Sequence, residues 1–232
     1  MIRAVLFDKD GTLFDFYRTW APVTERAALI AAGGDQSRAD EIMLKSGKDP
    51  VTGRYLPGSL IASGSNRQIV ASWVEMLSHG NAEALYTEVE ALFLAHQASG
   101  GAHPVVALDD LFQRLKARGL KLGVATMDSE AAAHRAMERY GVKQSLDFIC
   151  GFDTGHGMKP GGGMVEAFVR LVGIPAANVA VVGDSPHDME MAHAGGAGRA
   201  IGVLTGVSPR EALIEAGAHL VLESIAELET VL

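Results

Sequence analysis

The chain is short of cysteine, of basic residues and of long apolar runs. Its single cysteine, Cys150, excludes an intrachain disulfide and suits a reducing compartment. Cys150 stands in the apolar stretch "LDFICGF" and is expected to be a packing residue. No stretch reaches the roughly 20 consecutive apolar residues of a membrane-spanning helix. The first residues read as a short strand running straight into carboxylates, not as a signal peptide. A soluble, cytoplasmic protein without membrane partners is the expectation. Twenty Lys and Arg against 28 Asp and Glu leave a net charge of -8. That balance argues against a general nucleic-acid binder, which needs a basic face. It still allows a small phosphorylated metabolite, which needs only a local positive pocket. His79, His96 and His103 have no ligand spacing, and no His/Cys metal cluster is present. "GGG" at 161–163 is followed by no G-K-[ST], so it reads as the opening of a helix instead of a P-loop. There are no repeats and no low-complexity tract.

What is present has two textures. Residues 16–99 look helical, with candidate helices at 20–32, 36–46, 66–78 and 82–97. "GGD" and "HGN" separate the members of each pair, and the loop "SGKDPVTGRYLPGS" separates the pairs. Met43, Trp73 and Met76 fit helical packing. From about residue 100, strands alternate with helices, which implies a mostly parallel sheet covered on both faces. Ser129 is a plausible helix N-cap and Gly141 a plausible helix end. The opening strand, 2–7, belongs to that sheet by character. The expected division is therefore an α/β core of 1–15 with 100–232, and an inserted helical domain of 16–99.

In such sheets ligands bind beyond the carboxyl ends of the strands. Asp8 and Asp10 follow the first strand, and Thr126, Met127 and Asp128 the second. "HGMKP", with Lys159, lies between the third strand and its helix, and "GDSPHD", with Asp184 and Asp188, follows the fourth. Carboxylates gathered at one point stay ionised together only around a cation. Oxygen ligands favour a hard ion, with Mg2+ the usual choice beside phosphates. Asp8 and Asp184 are candidate metal ligands, and Asp188 binds directly, through water, or serves as a first-turn helix acid. One carboxylate can then attack phosphorus. Lys159 and Thr126 would steady the phosphoryl oxygens. Asp10 could protonate the leaving oxygen and later take a proton from water. Lys9, between the two acids, should point away from both if strand alternation continues. His156 and His187 lie near these residues in the sequence, and His187 reads as solvated. In the helical segment, Lys48, Arg54 and Tyr55 are loop candidates; Arg54 could fork onto a second anionic group of a substrate.

The sequence resembles the haloacid dehalogenase superfamily of phosphohydrolases, in the branch similar to phosphoglycolate phosphatases. "DKDGT" matches D-x-D-G-[TV], and "ATMDS" stands where a Thr or Ser ends the second strand. "KP" at 159–160 matches the third motif, and "GDSPHDMEMAHAGGA" the fourth. The resemblance covers essentially the whole chain. It implies a Rossmann-like α/β core with a helical cap inserted after the first strand. It also implies magnesium-dependent hydrolysis of a small phosphate monoester through an aspartyl-phosphate on Asp8. Asp10 is then the acid/base, and its backbone carbonyl also binds metal. Thr126, Met127 and Lys159 hold the phosphoryl group, and Asp184 and Asp188 serve the metal. Many relatives have Asn where this chain has Met127: if the backbone N–H there binds phosphate little changes, and if the Asn side chain matters some orientation of the site is lost. A phosphomutase on the same fold, returning the phosphoryl group to a sugar, is the alternative, and a binding protein without turnover is a third reading. A halide-releasing dehalogenase is disfavoured by Asp10 and the acidic fourth motif. The cap helices fit a monomer's own core or a homodimer surface.

Overall fold

The computed structural model describes residues 1–56, 58–63, 66–77 and 81–232. Pro57 of the expected loop, Ser78 at the end of the helix expected at 66–78, and His79 and Gly80 of the "HGN" break lie outside the described residues. The chain forms two compact units, Met1–Phe16 with His103–Leu232, and Tyr17–Ala102.

The chain enters through strand β1 (Ala4–Phe7), every residue of which is buried. The helical unit follows: α1 (Phe16–Ala31), α2 (Gln36–Lys45), α3 (Leu60–Ser63), α4 (Asn66–Leu77) and α5 (Ala82–Ser99). α1 starts four residues before the expected 20, so Pro22 lies inside the helix instead of in its first turn. Asp35 caps α2 by accepting from the Arg38 N–H. Trp73 on α4 is buried and donates from Nε1 to Ser46 Oγ at 2.8 Å. Met43 on α2 is buried as well, and Met76 is half-buried. His96 on α5 reaches the Thr19 carbonyl at 2.7 Å, and Trp20 stacks on Phe93 with centroids 5.9 Å apart. These contacts tie α5 to α1.

The other unit is the parallel α/β core implied by the sequence. Its elements continue as α6 (Leu108–Ala117), β2 (Lys121–Ala125), α7 (Glu130–Arg139), β3 (Phe148–Cys150) and α8 (Gly163–Val172). They end with β4 (Val179–Gly183), α9 (Pro186–Ala194), β5 (Arg199–Val203), α10 (Arg210–Glu215) and β6 (Leu220–Leu222). The six strands are all parallel, in the order β3-β2-β1-β4-β5-β6. Strand order reverses beside β1, so a crevice opens where the chain leaves β1 and β4. The register pairs Phe7 with Val124 on one side and Val182 on the other. The three strands therefore end within one residue of one another, and the residues that follow them lie at the same crevice.

Both faces of the sheet are apolar and covered. Leu6, Cys150, Met164, Phe168, Val181, Met189 and Met191 form one buried cluster. Phe7 meets Phe112 of α6 with centroids 5.5 Å apart. Cys150 is thus a packing residue, and burial pushes its thiol pKa up to about 12. Ser129 caps α7, accepting from the Ala132 N–H, and Gly141 follows with φ +70°.

Candidate active site

The loop after β1 is short and tightly bonded. The Lys9 carbonyl accepts from the N–H groups of Leu13 (3.0 Å) and Phe14 (3.1 Å), and Gly11 N–H donates to the Phe14 carbonyl (2.7 Å). Gly11 has φ +88°, and a Cβ there would run into the Asp184 carboxylate. Only glycine meets both demands. The Asp8 N–H donates to the Val182 carbonyl at 2.8 Å, extending the β1–β4 pairing by one residue. Asp8 consequently points into the crevice and is 7% exposed.

Asp184, one residue past β4, is 5% exposed, and its Oδ2 accepts from the Val207 N–H at 3.3 Å. Asp188 sits in the first turn of α9. Ser185 and Asp188 cap that helix reciprocally, with Ser185 Oγ donating to Asp188 Oδ2 at 2.6 Å. The other oxygen of Asp188 takes the Lys159 ammonium at 2.6 Å. Lys159 Nζ also lies 2.5 Å from Asp8 Oδ1, so it bridges two buried carboxylates. Thr126, just past β2, is buried, and its Oγ1 accepts from the Asp128 N–H at 3.1 Å.

Asp8, Asp184 and Asp188 each offer a carboxylate oxygen, all within 4.8 Å of one another. Three acids and one lysine leave this pocket two positive charges short. Burial above all, then the neighbouring Asp188 and Asp10, raises the Asp8 pKa to about 7 despite Lys159. Burial and the charges of Asp8 and Asp188 also push Asp184 well above the usual carboxylate range. Asp8 Oδ2 is buried with no hydrogen-bond partner. An unpartnered buried oxygen is costly unless something else fills its shell. A hard dication fits this all-oxygen set in charge and in ligand type.

The structure gathers Asp8, Thr126, Lys159, Asp184 and Asp188 of the expected residues. The Asp10 side chain is not among the three clustered acids; it pairs with Lys9. Met127 is 48% exposed in the loop after β2. Arg54 belongs to the helical unit, with its guanidinium 4.3 Å from the centroid of the Tyr17 ring. There Lys48 pairs with Glu25 at 2.6 Å, and the buried Tyr55 donates its N–H to Tyr17 Oη.

Lys9 corrects the sequence reading. It does not point away from Asp10 but forms an ion pair with it, and a second with Asp128 at 3.0 Å, while 4% exposed. The alternation argument failed because the strand ends at Phe7, and residues 8–14 form a turn with no period of two. Ser185 was also missed as a support for Asp188. The spacing S-x-x-D before a helical run was the available signal.

A family model for haloacid dehalogenase-like hydrolases matches residues 2–196. A phosphoglycolate phosphatase of Rhodospirillum rubrum is 29% identical over 232 residues, 98% of this chain and 90% of that protein. A HAD family hydrolase from Deinococcus radiodurans, solved with bound phosphate and sodium, shares the fold with a TM-score of 0.75. It is 21% identical, covering 98% of this chain and 93% of that one. A point variant of CbbY from Rhodobacter sphaeroides, solved with xylulose-(1,5)bisphosphate, has a TM-score of 0.63 at 21% identity. There the coverage is 98% of this chain and 96% of the other. A match over most of the length, joined to an acid cluster at the carboxyl edge of the sheet, places the chain in the family of haloacid dehalogenase-like hydrolases.

Proposed function

We propose that this phosphatase hydrolyses a small phosphate monoester with Mg2+, through an aspartyl-phosphate on Asp8. The observation that carries the reading is the Asp8 carboxylate itself. It is buried, one oxygen is held by Lys159, and the other has no hydrogen-bond partner. Asp8, Asp184 and Asp188 would hold the metal, with the Asp10 backbone carbonyl as a further ligand. When bound, Mg2+ supplies the positive charge that the acid cluster lacks and draws electron density from the phosphoryl group.

Asp8 attacks phosphorus, and its new P–O bond forms as the bond to the leaving oxygen breaks. Asp10 gives its proton to that oxygen, so an alcohol departs. Asp10 then takes a proton from the incoming water, whose oxygen bonds to phosphorus. The Asp8–phosphorus bond breaks, and inorganic phosphate and free carboxylate result. Lys159 balances charge on the phosphoryl oxygens. Thr126 already accepts from the Asp128 N–H, so its own O–H is available to a phosphoryl oxygen. The exposed Met127 would contribute its backbone N–H.

The helical unit, 17–102, would act as a cap that reads the leaving group and excludes water. Arg54 in that unit would hold a second anionic group of the substrate. The Rhodospirillum relative is named for phosphoglycolate, an ester of this kind with a carboxylate at its other end. A single buried cysteine suits cytoplasmic work on such metabolites.

The test is phosphate release from a panel of small esters that includes phosphoglycolate and p-nitrophenyl phosphate. Wild type with Mg2+, wild type with a chelator, and Asp8→Asn are compared. Activity that needs both metal and Asp8, falling at least about a thousandfold without either, is expected. Equal rates in all three samples would overturn the reading.

A further inference from the structure

The core holds two buried lysines, and each bridges two carboxylates. Lys159 spans Asp8 and Asp188. Lys9 spans Asp10 and Asp128. The first device serves the nucleophile. In the second, the mechanism above uses Asp10 but gives Lys9 no part.

We propose that Lys9 is a positioning residue that fixes the Asp10 carboxylate for proton transfer to the leaving group. The inference rests on the acid/base role proposed for Asp10. Lys9 is held at both ends. Its carbonyl closes the loop onto Leu13 and Phe14, and its ammonium lies 5.8 Å from the Phe14 ring centroid. Its side chain is 5% exposed, whereas those of Asp10 and Asp128 are 21% and 28% exposed. A partly exposed aspartate on a turn samples several rotamers, and a buried cation at its carboxylate selects among them. The second partner matters as much. Asp128 donates its N–H to Thr126 Oγ1 at 3.1 Å, and its carbonyl accepts from Phe152 N–H at 3.0 Å. Lys9 therefore ties the loop that carries Asp10 to the loop that presents Thr126. General acid catalysis depends on such placement, because a proton moves only across a hydrogen bond of correct length.

Lys9→Met keeps the length and the packing and removes the charge. Its readout is kcat/KM, which reports the steps up to departure of the leaving group. Two substrates are compared: phosphoglycolate, or the best alkyl ester of the panel, and p-nitrophenyl phosphate. The alkyl leaving group needs a proton and the nitrophenolate does not. Expected is a fall of about tenfold or more on the alkyl ester, against less than about threefold on p-nitrophenyl phosphate. A merely structural role would lower both alike, and that result, or no loss on either, overturns the proposal. Asp10→Asn is run beside it. If Asp10→Asn is selective for the alkyl ester and Lys9→Met is not, only the positioning role fails. If Asp10→Asn shows no selectivity, the acid role itself fails, and this proposal with it. Should Lys9→Met not fold, Asp128→Asn carries the test from the more exposed side, with a selective loss of about threefold expected and an equal loss on both esters contradicting it.

Discussion

Asp8 illustrates how burial and charge together set the state of one residue. Its pKa of about 7 comes first from burial, which the ammonium of Lys159 only partly offsets. The ordinary aspartate value is 3.8, so the folded state holds the proton more tightly than the unfolded state. The stability that Asp8 contributes is therefore fully present below the ordinary value and is lost as pH rises through about 7 in the metal-free protein. A cation needs the ionised form and must compete with that proton. The rise in melting temperature on adding Mg2+ should thus be clearly larger at pH 8 than at pH 6. Differential scanning calorimetry at the two pH values checks this, and an equal rise at both would mean that Asp8 does not bind the ion. At this scale the sequence was most legible for residues whose position is marked by a motif. Asp8, Lys159 and Asp184 stand in spaced motifs, and the structure brings them together. Lys9 was not legible, because its burial depends on two carboxylates from different loops, one of them 119 positions away in the chain (128 minus 9).

The elements that carry these residues were legible where local chemistry decides them. β1, β2 and β4 are continuous apolar runs, and the helix after Ser129 has its cap in the sequence. The start of α1 was placed at residue 20, whereas the helix begins at Phe16 and accommodates Pro22 inside. The four-residue α3 has too little periodicity to stand out. At α9, local structure and function meet in one hydrogen-bond pair. Ser185 caps the helix and holds Asp188 Oδ2 while Asp188 Oδ1 holds Lys159. Ser185→Ala should cost about 1 kcal/mol of stability, a shift of about 2–4 °C in Tm for a chain of this size. It should also weaken Mg2+ binding, since Asp188 loses one of its anchors. Thermal melts and metal titration by calorimetry read the two effects separately. Unchanged metal affinity beside a lowered Tm would confine Ser185 to capping.

Across the whole molecule, the sheet order does what no local pattern encodes. β1 lies between β2 and β4, with Val5 opposite both Leu122 and Ala180. Strands from three distant parts of the sequence thus deliver Asp8, Thr126 and Asp184 to one crevice. The alternation of strands and helices made a parallel sheet legible, and the rule that ligands sit beyond its carboxyl edge pointed to the loops whose acids and lysine the structure gathers. The pairing of buried charges within that crevice was set by three-dimensional packing and was out of reach of the sequence. The central claim is that this crevice passes a phosphoryl group through Asp8. The most direct measurement is rapid acid quenching during turnover with Mg2+, followed by peptide mapping by mass spectrometry. A phosphoryl adduct on Asp8 that forms and decays at the turnover rate, and is absent in Asp8→Asn, is the predicted result. Turnover with no adduct on Asp8 at any time, together with retained activity in Asp8→Asn, would contradict the account.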